Sequence, residues 1–382
     1  MSAIRTRTQY EREECERLAP WAVKSAESRG RIFREPEHPY RTAFQRDRDR
    51  IVHSRAFRRL EYKTQVFVHH EGDHHRNRLT HTLEAGQISR TIARALRLNE
   101  ELAEAIALAH DLGHTPFGHA GERVLAELMK AHGDFDHNRQ SLRIVDLLEE
   151  RYPSFRGLNL TYETREGILK HGCHWEHPLP VPEATPQPSL EAQVADRADE
   201  IAYTNHDLDD GLRSQLLRVR DLEDVALWRE TRRATAAKLG DVSDRVLHAQ
   251  TIVALIDRLA TDLIETTGSG IVAAGIACVD EVRQAAQRIV RFSDAAARAL
   301  GDLKRFLSEN LYHHPEVLAA SGQATPLIGD LFEAYRDDAS LLPAHVRERI
   351  GADGEARAIA DYIAGMTDRF AASERQRIQE LR

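Results

Sequence analysis

Cysteine is nearly missing from this chain: Cys15, Cys173 and Cys278 are the only three in 382 residues. They are too few and too scattered for a disulfide framework or a thiolate metal site. Long apolar runs are missing as well, since no stretch approaches the roughly 18 residues of a membrane span. The opening "MSAIRTRTQYEREECERL" lacks the apolar segment of a signal peptide, so a cytoplasmic location is expected. Cationic excess is the third absence. A net charge of −8 argues against general nucleic-acid or membrane binding, which draws on surplus Lys and Arg.

What remains is the composition of a folded protein, 41% hydrophobic and 30% charged, long enough for one extended domain or two. Helical periodicity dominates. "LEAGQISRTIARALRL" puts Leu83, Ile88, Ile92, Ala95 and Leu96 on one stripe. "NEELAEAIALAHDLGH" has Asn99 as a good N-cap, Glu100 and Glu101 in its first turn, and a stop expected near Gly113. "ERVLAELMKAHG" and "QSLRIVDLLEERY" continue the pattern, whereas "GLNLTYETREG" suggests a short strand. Five prolines between Pro178 and Pro188 mark a stiff, exposed loop. Helix resumes beyond it with Ser189 as N-cap, and short turns separate helices from Leu212 onward. Without alternating strands or a repeat, the expected fold class is all-α.

The chemistry concentrates in "LAHDLGHTPFGHAGE", residues 108–122, with three histidines and an aspartate among glycines and a proline. Imidazole and carboxylate together suit Mg, Mn, Fe, Co, Ni or Zn. His81 lies on one expected helix and His110–Asp111 at the end of the next. Adjacent helical residues point about 100° apart, so both can reach one ion only where the backbone loosens. A further ligand must come from elsewhere. In "ADEIAYTNHDLDD", Asp199, Tyr203 and Asp207 are spaced i, i+4, i+8 on one helical face, a polar stripe among Ala, Ile and Leu.

"RTAFQRDRDRIVHSRAFRRLEYKTQVF", "RLTHTLE", "AHDLGHTPFGHAGE", "FDHNRQSLRI" and "DEIAYTNHDLDDGL" together resemble the bacterial deoxyguanosine-triphosphate triphosphohydrolases and their dGTPase-like relatives, within the HD-domain phosphohydrolases. The resemblance covers about residues 40 to 215. His75 and Asn77 depart from the usual pattern, where Tyr and Thr are more common. The resemblance implies an N-terminal arm over 1–50, an HD-domain helical core over 51–215 with its motif region at about 79–205, and further C-terminal helices over 216–382. It assigns a divalent metal to His81, His110, Asp111 and Asp199.

Proton transfer near neutral pH suits histidine. The candidates are His114, His119 and His137. By resemblance His119 is the strongest, with Glu122 behind it as orienting partner, and His114 and His137 contact phosphates. Arg55, Arg58, Arg59, Lys63 and Arg78 could serve the triphosphate. Since a charge run is usually a solvated face, only Arg58 and Arg78 are expected to do so. By resemblance Gln65 and Asp207 hold the sugar 3′-hydroxyl and Tyr203 packs on the deoxyribose, where its ring would crowd a 2′-hydroxyl.

The implied reaction hydrolyses a dNTP to deoxynucleoside and inorganic triphosphate. The competing readings are an HD hydrolase of nucleoside monophosphates or guanosine tetraphosphate, and a nucleotide sensor or single-strand nucleic-acid binder. The implied partners are the dNTP substrate and further copies of the chain in a hexamer or tetramer, with a nucleotide activator as a further candidate. The tract His69, His70, His74 and His75 reads as a flexible loop in preference to a second metal site.

Overall fold

A computed structural model describes residues 4–65, 76–169, 177–322 and 324–381 of the protein. The tract His69, His70, His74 and His75 lies outside the described residues. Along the chain the helices that position the site and the cores are α1 (Arg55–Arg59), α2 (Arg78–Ala95), α3 (Glu100–Ala109), α4 (Gly118–Met129), α5 (His137–Arg143), α6 (Leu190–Arg213) and α7 (Ala226–Leu239). They continue with α8 (Asp244–Ala273), α9 (Asp294–Leu307), α10 (Ala324–Asp337), α11 (Glu355–Ala364) and α12 (Asp368–Leu381). Among the described residues there is no strand, only the isolated bridges Arg31–Thr161 and Thr64–Asn77. The fold is all-α.

Two compact units interleave along the chain. The first takes residues 1–50, 81–108 and 160–314, the second 51–80, 109–159 and 315–382. In the first, α6 packs against α8 and α9, and α7 lies along α8. A small core joins Val23 and Phe44 to Leu102, Ile106 and Ala107 of α3 and to Ala192 and Ala195 of α6. In the second, Leu125 and Met129 of α4 pack with Ile328, Leu331 and Phe332 of α10, Ile359 and Ile363 of α11, and Ile378 of α12. No described helix is long and apolar enough to cross a membrane.

Local signals set several boundaries. Asn99 Oδ1 accepts from Leu102 N at 3.2 Å, and Ser189 Oγ accepts from Ala192 N at 3.3 Å, so both caps act as expected. The stripe on α2 is different from the expected one, because Leu83 is 49% exposed while His81, Ala85, Ile88, Ile92 and Leu96 are buried. That spacing carries His81 inward on the same face as the apolar residues. The suggested strand within 157–167 is absent. Asp47, buried, accepts from Thr161 N (2.9 Å), Thr161 Oγ1 (2.6 Å) and Thr164 Oγ1 (2.7 Å), and these bonds start a helix at Tyr162.

Glu191 is a second buried carboxyl in the first unit. Its Oε1 accepts from Val23 N at 2.9 Å and Asn99 N at 3.1 Å, tying the N-terminal segment to the start of α3. Burial raises its pKa from 4.5 to about 7, against the pull of those amides. The folded state therefore keeps a proton that the unfolded chain releases, and stability falls as pH rises from about 4.5 through 7. The loss amounts to roughly 3 kcal/mol. Glu191→Gln keeps an acceptor for both amides without the titration. It should melt higher than the parent at pH 8, with a flatter melting temperature between pH 5 and 8. Parallel profiles would assign the titration to another group.

Candidate active site

In the first unit, His81 and Asp199 meet. His81 Nε2 lies 3.0 Å from Asp199 Oδ1. Two ligands about 2.1 Å from one ion and about 90° apart are roughly 3 Å from each other, so this pair has the spacing of one edge of a coordination shell. His81 Nδ1 is 3.2 Å from His206 Nδ1, and His206 Nε2 pairs with Glu84. His206 thus fixes the orientation of the His81 ring, the arrangement that metal-bound imidazoles generally need. Sequence reading missed His206, although it stands seven residues after Asp199 and so falls on the same face of α6.

Tyr203 and Asp207 follow Asp199 on that face. Tyr203 is half-buried, and Lys304 Nζ sits 5.4 Å from its ring centroid while pairing with Glu200 at 3.0 Å. Asp207 is buried and its Oδ2 accepts from Tyr312 Oη at 2.5 Å. Burial and the neighbouring Asp207 carboxylate push the Tyr312 hydroxyl far above its ordinary pKa, so it remains a donor. No spacing in the sequence joins Tyr312 to Asp207, 105 residues away.

In the second unit, α3 ends at Ala109, four residues before the expected stop, so His110 and Asp111 stand off the helix in an irregular turn. The cause is tertiary. Ser141 Oγ of α5 accepts from Gly113 N at 2.8 Å and donates to the His110 carbonyl at 2.9 Å. A Cβ on Gly113 would come within 2.1 Å of the His137 carbonyl oxygen, so only glycine allows this approach. Within the turn, His110 Nε2 lies 3.0 Å from Asp111 Oδ1, a His–carboxylate pair of the same spacing.

Asp111 is buried and also meets His114 Nδ1 at 3.1 Å and Arg78 Nη1 at 2.9 Å. Burial opposes its charge, but His110, His114 and Arg78 hold its pKa well below the ordinary carboxylate range. Burial and Arg78 push His114 well below its usual value, so its imidazole is neutral.

The histidines expected to move protons form one cluster. Ring centroids are 4.1 Å apart for His114 and His137, 5.5 Å for His114 and His119, and 6.4 Å for His119 and His137. Glu122 serves two of them, meeting His119 Nδ1 at 3.2 Å and His137 Nδ1 at 2.7 Å. It also accepts from His137 N at 3.0 Å. Despite its burial, the bonds from His119 and His137 drive its pKa far below the usual range. One fixed carboxylate therefore holds both rings through Nδ1 and leaves both Nε2 atoms pointing elsewhere. The His119 side chain is 69% exposed, open to a substrate from solvent.

The other expected contacts differ in setting. Arg78 is buried, its Nε donating to the Thr64 carbonyl at 3.0 Å and its Nη1 to Asp111, so it braces the His110–Asp111 turn directly. Arg58 is exposed on α1. Gln65 closes the described part of its segment, with a buried Oε1 that lacks a hydrogen-bond partner among the described residues. Lys63 is fully enclosed and donates to the carbonyls of His114 (2.5 Å) and Ala364 (2.9 Å). The loop below His119 is held in an uncommon conformation. Phe117 has φ +61° and Gly118 φ +55°, and the left-handed region costs about 1–2 kcal/mol for a residue with a Cβ.

Residues 78–204 match the model of the HD domain, and residues 290–377 match that of the phosphohydrolase-associated domain. HD domains bind divalent metals, and each of the two His–carboxylate pairs offers donor atoms of the kind such an ion takes. Among similar proteins, the deoxyguanosinetriphosphate triphosphohydrolase-like protein of Ralstonia pickettii (strain 12J) is 55% identical over 367 residues, 94% of each chain. That of Azoarcus sp. (strain BH72) is 54% identical, covering 94% of this chain and 96% of its own. That of Geobacter metallireducens is 50% identical over 95% of each. With its paired histidines and carboxylates falling inside the matched HD region, the chain is an HD-domain phosphohydrolase and belongs to the family of deoxyguanosinetriphosphate triphosphohydrolase-like proteins.

Proposed function

We propose that the chain hydrolyses deoxynucleoside triphosphates to a deoxynucleoside and inorganic triphosphate, using one divalent ion held by His81, His110, Asp111 and Asp199. The observation that carries this reading is the pair of 3.0 Å His–carboxylate edges, His81–Asp199 and His110–Asp111, each supported by a fixed second residue. A divalent ion bound there would supply an acidified water and polarise the α-phosphoryl group.

The chain's own groups do the rest. Water attacks the α-phosphorus and the bond to the 5′-oxygen breaks, so that oxygen must receive a proton as the triphosphate departs. His119, turned by Glu122 so that Nε2 is available, delivers it. His114 and His137 contact the phosphates, and Arg58 adds a charge from α1. Arg78 keeps Asp111 ionised and in place. Tyr203 packs on the sugar, and Asp207 with Gln65 takes the 3′-hydroxyl. Tyr312 fixes the Asp207 carboxylate for that purpose.

The test is a product assay with metal-loaded protein on each dNTP and NTP. Expected are deoxynucleoside and intact triphosphate, with kcat/KM for dGTP at least about 10-fold above that for GTP. Tyr203→Ala should bring the two within a few-fold by admitting the 2′-hydroxyl. Equal rates for dGTP and GTP in the parent protein would remove Tyr203 from the selection. Monophosphate plus pyrophosphate would move the cleavage to another phosphorus.

A further inference from the structure

We propose that Asp368, in the first turn of α12, is a positioning residue for the catalytic loop, holding the left-handed turn from which α4 presents His119. The proposal rests on the reading of His119 as the proton-transfer group. Both carboxylate oxygens are engaged. Oδ1 accepts from Phe117 N at 2.8 Å, and Oδ2 accepts from Thr64 N at 2.9 Å and from Thr64 Oγ1. One carboxylate thereby ties two stretches, at 64 and 117, to the start of the last helix. Such bonds are the stronger, charge-assisted kind.

The place where Asp368 acts is one that would not stay put unaided. Phe117 and Gly118 are consecutive left-handed residues, and only the second is glycine. The turn is also crowded, since a Cβ on Gly118 would lie 3.3 Å from Arg78 Nη2 and 3.4 Å from the Gln65 carbonyl oxygen. Backbone held this way persists only where its surroundings overdetermine it. Thr115 Oγ1 supplies one tie, donating to the Gly118 carbonyl at 2.9 Å. Lys63 supplies another from the opposite side, bridging the His114 and Ala364 carbonyls.

Residues 364–368 therefore clamp both ends of the His114–Phe117 loop. All of them fall within the phosphohydrolase-associated region, 290–377, and not within the HD region that carries the ligands. Released from Asp368, Phe117 relaxes toward ordinary φ, and the first turn of α4 shifts against His114 and the metal-ligand turn. The placement of His119 changes, whereas His110 and Asp111 are held by Ser141 and Arg78.

The experiment compares Asp368→Ala and Asp368→Asn with Tyr335→Phe in the full metal-loaded chain. Tyr335→Phe removes a buried bond to Glu374 in the same unit, away from the loop, and controls for general destabilisation. For Asp368→Ala we expect kcat for dGTP to fall about 10- to 100-fold, with KM within about threefold and metal content unchanged. Asp368→Asn, which keeps an oxygen acceptor for Phe117 N, should recover most of that loss. Hydrogen exchange at amides 115–119 should accelerate in Asp368→Ala and not in Tyr335→Phe.

The exchange result stands whether or not dGTP is the substrate, so failure of the clamp is separable from failure of the proposed reaction. Unchanged exchange at 115–119 in Asp368→Ala would overturn the proposal. So would a kcat loss that Tyr335→Phe reproduces at an equal drop in melting temperature.

Discussion

Asp199→Ala should lose its metal and its turnover together. Asp199 faces His81 at 3.0 Å from the middle of α6, and no other residue of that face stands at the same height. Removing a supporting partner of a metal-bound imidazole costs about 10–100-fold in affinity, and loss of a ligand should exceed that. The expected result is a metal content near zero by elemental analysis, with hydrolysis at background and the helical circular dichroism unchanged. His206→Ala provides the graded comparison. It leaves all four proposed ligands but frees the His81 ring, so metal should weaken by about 10–100-fold and return at high metal concentration. Full occupancy in Asp199→Ala would take Asp199 out of the ligand set.

His119→Ala should keep metal and substrate yet lose about 10²–10⁴ in kcat, the range for a positioned acid or base. KM should move little, because the proton is transferred only in the transition state. Glu122 makes the prediction sharper. It holds His119 and His137 through their Nδ1 atoms, so Glu122→Gln should harm at least as much as His119→Ala alone. The double variant should be scarcely worse than Glu122→Gln, since groups acting as a unit are not additive. A near-parental kcat for His119→Ala, with a severe loss at His137→Ala, would give the proton transfer to His137.

Where a structural decision is made by neighbours in sequence, it was legible. The Asn99 and Ser189 caps depend on amides three residues away, and the Asp199, Tyr203, Asp207 stripe on nothing more than helical pitch. Gly113 was rightly seen as special but for the wrong reason. It does not end α3, but permits α5 to touch the turn, and the helix stops earlier because Ser141 takes the His110 carbonyl and the Gly113 amide.

Distant decisions were not legible. Thr161 looked like part of a strand because nothing nearby in sequence announces Asp47 as its partner. Tyr312, Lys63 and Asp368 are likewise defined by partners 51 to 304 residues away. The aspartates and histidines of the motif carry chemistry that residue type reveals. The groups that aim them are ordinary residues, and only the folded chain distinguishes them.

The interleaving of the two units has a consequence for the protein while it is being made. Leu125 and Met129 leave the ribosome early, but their partners Ile328, Leu331 and Phe332 follow about 200 residues later. At about 5–20 residues per second this leaves the apolar face of α4 bare for roughly 10–40 s. During that interval the segment carrying Leu125, a few residues from His119, is a hydrophobic surface without its cover, open to chaperones or to neighbouring nascent chains. The loop carrying His114 and His119 is thus synthesised well before the residues that cover it and settles only after them. A ribosome that stalls before α10 releases a chain bearing every proposed metal ligand but no core beneath the loop that would use the metal.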